Sequence, residues 1–182
     1  MAILSALERN YVSYVLIGGL AQVLRGADLV TTGVDICPSF VKNNFDRLSD
    51  AINELGVTGT EGRPVALDEQ ALTRAPVLEV FTSAGELKVI PSPSGVPSGY
   101  VDLRRAASRE DLGQGVRPVV ASVGDLAAMA AALGRERDLE RLPALRRIVE
   151  LEAHRHPAPE RVAAPAPPRR TPAARRGQRL TP

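Results

Sequence analysis

Four apolar residues, Tyr14-Val15-Leu16-Ile17, run straight into Gly18-Gly19, and this junction constrains the chain more than any other stretch. The apolar run predicts a strand, and two consecutive glycines turn it, because glycine accepts backbone angles that other residues avoid. Leu20, Ala21, Val23 and Leu24 then suit one short helix over residues 20–24, with Gly26 as its stop. A second strand is expected over residues 34–37, halted by Pro38. A strand, a glycine turn, a short helix and a second strand point to an α/β (α+β) fold, a small mixed twisted sheet flanked by helices.

The rest of the chain extends this pattern. A helical turn is expected over residues 4–10. Phe40, Val41, Phe45, Leu48, Ile52 and Leu55 recur at helical spacing ahead of Gly56, which predicts a helix over residues 40–55. Residues 57–75 carry a weak pattern, with a helical turn at 68–72. Two β-prone runs, 77–82 and 86–90, flank Ser83-Ala84-Gly85 as a hairpin does. A Pro/Ser/Gly loop at 91–99 precedes a short amphipathic helix at 100–107 and a strand at 116–121. Ser122 and Asp125 then form a capping-box-like start, each side chain serving the other's exposed N–H, for a helix over 126–133 closed by Gly134. A last helix over 136–154 is expected to place Leu139, Leu142, Leu145, Ile148, Val149 and Leu151 on one side and to bend at Pro143.

Composition sets the outer bounds. A chain of 182 residues, 44% hydrophobic, is the length of one ordinary domain with a real core, and 3% aromatics without tryptophan make that core aliphatic. The single cysteine, Cys37, excludes an internal disulfide and suits a buried small hydrophobe in a reducing cytoplasm. The first residues lack a signal-peptide pattern and no apolar run is long enough to span a bilayer, so a cytoplasmic protein with no membrane partner is expected. Residues 157–182 hold six arginines and one acid, +5, against +2 for the whole chain, so the body stands at −3. This tail, rich in Pro, Ala and Arg, is expected to be disordered and to follow a domain of residues 1–156. It either aids solubility or binds RNA or DNA loosely. His154 and His156 suit the end of the last helix, where a cation meets the helix dipole.

The ordered series Tyr14-Val-Leu-Ile-Gly-Gly-Leu-Ala21, Leu24-Arg-Gly26 and Thr31-Thr-Gly-Val-Asp-Ile36 resembles the opening of the nucleotidyltransferase superfamily, in its AbiEii-like and MenT-like toxin branch with the polymerase-beta-like fold. The resemblance continues through Asn44 and Leu48, the hairpin Thr82-Ser-Ala-Gly-Glu-Leu87, Tyr100-Val-Asp-Leu-Arg104, Val120-Ala-Ser122, Asp125-Leu126 and Arg135 to Leu139, and so covers roughly residues 10–150. In that family a nucleophile attacks the α-phosphate of a nucleoside triphosphate with the help of Mg²⁺, whose hard oxygen ligands are acids at i and i+2 on one strand plus a third acid from a neighbouring strand. The resemblance implies that Gly18 and Gly19 approach the nucleotide and that Asp35 is a catalytic and metal-binding acid.

Three positions depart from the pattern. The first strand acid is replaced by Gly33, the third acid by Lys88, and the helix lysine after Met129 by Ala130. Glu79, in the triplet Leu78-Glu79-Val80, is the substitute third acid, with Glu86 and Asp28 behind it. Read as plain structure, Gly18-Gly19 is a tight turn, Asp35 an edge-strand or strand-end acid facing water and Lys88 a solvated edge residue. The resemblance implies a nucleotidyltransferase-like protein of the toxin–antitoxin or abortive-infection type that has lost catalysis, a pseudoenzyme acting through an NTP, RNA or an antitoxin-like protein. The first alternative is an active enzyme using Mg²⁺, Asp35 and Glu79 to transfer a nucleotide to tRNA or protein; the second is a nucleic-acid-binding protein acting through its tail.

Overall fold

The computed structural model describes residues 1–58, 64–74 and 76–155. Its centre is a six-stranded mixed sheet built from β1 (Tyr14–Ile17), β2 (Gly33–Pro38), β3 (Leu78–Thr82), β4 (Gly85–Val89), β5 (Ser108–Arg109) and β6 (Val119–Val120), in the order β3-β4-β2-β1-β6-β5. β1 runs antiparallel to β2, β2 parallel to β4, and β3 and β4 form the expected hairpin. The helices are α1 (Ala2–Arg9), α2 (Gly18–Leu24), α3 (Lys42–Glu54), α4 (Glu69–Arg74), α5 (Tyr100–Ala106), α6 (Val123–Leu133) and α7 (Glu136–Arg155). The α/β architecture expected from the sequence is the one observed. The 157–182 tail lies outside the described residues, as does His156, and the His154 side chain is not described.

Strand alternation explains the core. Leu16, Val34, Ile36, Val80, Leu87 and Val89 are all buried, and they share one continuous cluster with Leu4 and Leu7 of α1 and Phe45, Leu48 and Ile52 of α3. Leu48 and Ile52 are fully enclosed, so truncating either to alanine costs about 2–5 kcal/mol. Asn44 ties α3 to this sheet, with its amide donating to the Ser13 and Ser39 carbonyls and its Oδ1 accepting from the Ser13 N–H. α2 packs against β1, β2 and α6, and α7 packs against α6.

Several local expectations need correction. α2 begins at Gly18, so the glycine pair forms its first turn rather than a linker before it. Phe40 and Val41 precede α3 and are exposed, with Phe40 stacking edge-on against Phe45 at 5.6 Å. The strand expected at 116–121 is only Val119–Val120, and its two-residue partner β5 carries no alternating pattern to announce it. Ser122 does cap α6 by accepting from the Asp125 N–H, but Asp125 replies to the Ser122 hydroxyl at 2.7 Å, not to its N–H. In α7 only Leu142 and Leu145, with Ile148 beside them, meet α6, while Leu139, Val149 and Leu151 are exposed. A two-helix hairpin buries a narrow stripe, so the wider apolar face is not all used. No helix among the described residues is long and apolar enough to cross a membrane.

Candidate functional site

Register assembles the site. Asp35 faces Ile17 on β1 and Lys88 on β4, and Lys88 faces Glu79 on β3, so Glu79, Lys88 and Asp35 form one row across three strands. Two residues along, Phe81, Glu86 and Gly33 form a second row on the same face. β2 and β4 are interior strands. Asp35 is therefore not an edge acid, and Lys88 is not a solvated edge residue: its side chain is 31% exposed and ion-paired on both sides.

The Lys88 ammonium lies 3.0 Å from Glu79 Oε1 and 3.2 Å from Glu86 Oε1. Both carboxylates, with a smaller opposing cost of burial, hold the lysine above its ordinary value. Glu86 also leans toward Gly33, where a Cβ would stand 3.2 Å from its Oε2. Gly33 has no backbone need to be glycine, so the space an acid would use there is taken up by Glu86.

Asp35 is folded onto the glycine turn. A Cβ on Gly18 would lie 1.9 Å from Asp35 Oδ2, and Gly18 has φ +68°, a left-handed conformation that disfavours any side chain. The Gly19 N–H, a group that in a phosphate-binding turn would face the ligand, favours the charged form of this carboxyl. Gly19 in turn is packed so that a Cβ would lie 2.7 Å from Thr31 Oγ1. Burial pushes the Asp35 carboxyl above the ordinary carboxylate value and the Glu86 charge adds to this; Lys88, the Gly19 N–H and Arg135 oppose it. Arg135 arrives from the α6–α7 junction, past the left-handed cap at Gly134, and is itself bonded at 2.6 Å to the buried Asp138.

The structure thus brings Gly18, Gly19 and Asp35 together, and places Glu79 in the same row with Lys88 between them. Asp28 is exposed and takes no part in this row. Glu86 proves closer to the centre than its rank in the sequence suggested, and Arg135 was not foreseen as a neighbour of Asp35, because no local pattern reports where the α6–α7 junction comes to rest. Among the described residues, no group of three or more His, Cys, Asp or Glu side chains is arranged to hold a metal ion. With an ammonium seated among its carboxylates, this donor set does not fit Mg²⁺. What the face can do as built is present a mixed-charge surface, with one ammonium among three carboxyl groups, to a polar ligand.

No family model matches the chain, and no curated protein sequence matches it. Among solved structures it is similar to a crystal structure of a Thermotoga maritima protein with the provisional designation nucleotidyltransferase, at 17% identity over 82% of this chain and 89% of that one, with a TM-score of 0.48.

Proposed function

We propose that the chain is a nucleotidyltransferase-like protein of the toxin–antitoxin or abortive-infection type in which a lysine ammonium has taken over the charge-balancing role of metal ions, so that the Asp35 face binds a nucleotide or a partner and does not transfer. The observation that carries this reading is Lys88, interior to the sheet, in register with Asp35 and paired to both Glu79 and Glu86. The ordered motif series supports the ancestry. The physical argument is direct: the Lys88 ammonium offsets part of the negative charge of Glu79 and Glu86 and sits between them, so an incoming cation would meet a like charge there. Asp35 is held back in a different way, by its close packing on Gly18.

The test is transfer of a labelled nucleotide to tRNA or protein in Mg²⁺, by the natural chain and by a Gly33→Asp/Lys88→Asp double substitution. Position 33 accepts a side chain because its backbone is extended and the nearest obstacle is the flexible Glu86 carboxylate. Binding of a nucleoside triphosphate without transfer by the natural chain, and transfer by the restored one, are the expected results. Mg²⁺-dependent transfer by the natural chain that disappears in Asp35→Ala would overturn the reading.

A further inference from the structure

A second cleft lies away from the Asp35 face. It has a volume of about 290 Å³, just below the range of roughly 300–1,000 Å³ for small-molecule pockets, and forms beside the start of β1. Tyr14 and Ile17 stand at opposite ends of that four-residue strand and, three positions apart, on opposite faces of the sheet. The cleft is therefore separate from the row containing Asp35.

Its lining is unusual for this chain. The protein has three tyrosines and no tryptophan, and all three tyrosines, Tyr11, Tyr14 and Tyr100, border this one cleft. Arg104 and Arg109 border it too. Neither arginine has an ion-pair partner among the described residues; the one polar contact of Arg109 is to the Arg117 carbonyl at 3.1 Å. Tyr100 and Arg104 are one helical turn apart on α5, and Arg109 sits on β5 close enough for its charge to act on the Tyr14 phenol. Glu8 is the acidic member, accepting from the Tyr14 hydroxyl at 3.0 Å.

Tyr11 adds an independent observation. It is 78% exposed and has φ +53°, a left-handed conformation that is costly for an aromatic residue. The conformation is held by the Tyr11 N–H donating to the Glu8 carbonyl and by Arg47 donating to the Tyr11 carbonyl. This is the left-handed position of the Schellman turn that closes α1, with the Val12 N–H also donating to the Leu7 carbonyl, and it leaves the Tyr11 ring exposed at the rim of the cleft.

We propose that this cleft binds a mononucleotide unit, free or at the end of a single RNA strand, with the base stacked on Tyr11 or Tyr100 and the phosphate held by Arg104 and Arg109. Aromatic rings offer a face to any base, and guanidinium groups match phosphate oxygens in pairs. Glu8 distinguishes this ligand from a bare anion: a carboxylate repels phosphate alone but accepts from a ribose hydroxyl or a base amino group. The inference stands apart from the reading of the Asp35 face.

The test is calorimetric titration of the full chain with adenosine 5′-monophosphate, adenosine and inorganic phosphate, alongside tyrosine emission, which reports on this cleft because every tyrosine lies in it and there is no tryptophan. The nucleotide should bind, quench the emission, and exceed adenosine and phosphate in affinity by about tenfold or more. Arg104→Ala/Arg109→Ala should weaken it by about tenfold or more, as should Tyr11→Ala, while Tyr11→Phe retains binding. Arg146→Ala/Arg147→Ala, which removes the same charge from α7, should change nothing. Should the double alanine variant melt early, Arg104→Glu alone must show the loss. Oligoribonucleotides with and without a 5′-phosphate distinguish the two sources: an oligomer that binds more tightly than the mononucleotide through the intact cleft identifies a strand end, and equal affinity identifies the free nucleotide. Nucleotide binding unaffected by the arginine or Tyr11 substitutions, phosphate binding as tight as that of the nucleotide, or a preference for a phosphotyrosine peptide would overturn the proposal. The first of these outcomes would leave the Asp35 face free to account for the binding.

Discussion

Replacing Lys88 with methionine removes the ammonium while keeping most of the apolar stem, so its effect isolates the charge. Two ion pairs are lost, at 3.0 and 3.2 Å, between side chains that are 31%, 49% and 26% exposed for Lys88, Glu79 and Glu86. Partly exposed pairs of this kind contribute about 0.2–1 kcal/mol each, and the three carboxylates of the face then repel one another, so the total loss is about 1–2 kcal/mol. For a domain of this size that corresponds to about 2–8 °C in melting temperature. Because the effect is electrostatic, the deficit should shrink in about 1 M salt, where screening reaches within about 3 Å. Millimolar Mg²⁺ should raise the melting temperature of Lys88→Met and leave that of the natural protein unchanged, since in the natural protein the Lys88 ammonium already stands between Glu79 and Glu86 and repels a second cation. Circular dichroism melts at low salt, high salt and with Mg²⁺ provide the assay. A variant as stable as the natural protein at low salt, or one indifferent to Mg²⁺, would refute the reasoning.

Gly18→Ala should destabilise by at least about 1–2 kcal/mol from its left-handed backbone alone, plus the clash with Asp35. Asp35→Ala should rescue it in part, because the 1.9 Å contact with Oδ2 disappears but 2.8 Å to Cβ remains; denaturant titrations in a double-mutant cycle would show a coupling, and strict additivity would exclude the contact. Asp35 has a raised value when folded, so its protonated form is favoured by the fold and its contribution is full below 3.8 and lost as pH rises through the folded value. Asp35→Asn should accordingly gain stability relative to the natural protein as pH climbs from about 4 toward neutrality, and a constant difference across that range in urea titrations would contradict the assigned burial. Gln22 is buried with an Oε1 that lacks a hydrogen-bond partner among the described residues, so Gln22→Met should be neutral or stabilising by about 1 kcal/mol, and a clear loss of stability would indicate a partner for that oxygen.

The sequence made the local elements legible and the assembly much less so. Strand β1, the hairpin and the caps at Gly26, Gly56 and Gly134 follow from short-range pattern, and each lies where the residues put it. The closeness of Gly18, Gly19 and Asp35 was also readable, since a strand, a turn and an adjacent antiparallel strand leave little freedom. Lys88 was misread because being interior is a property of strand order: β4 pairs in parallel with β2, and nothing within residues 85–89 reports that neighbour. The same holds for Arg135, brought near Asp35 by the α6–α7 hairpin, and for the three tyrosines, which are scattered from residue 11 to residue 100 and meet only once α5 docks against β1. α7 shows the reverse failure, an apolar stripe wider than the surface available to cover it.

The central claim is that an internal ammonium occupies the electrostatic place of a divalent cation on the Asp35 face. Electron paramagnetic resonance of Mn²⁺ titrated into the natural protein, Lys88→Met and Asp35→Ala measures this directly, because free and bound Mn²⁺ give distinct signals. The account predicts no binding attributable to Asp35 in the natural protein and the appearance of a site in Lys88→Met. A site in the natural protein that is lost in Asp35→Ala would contradict it.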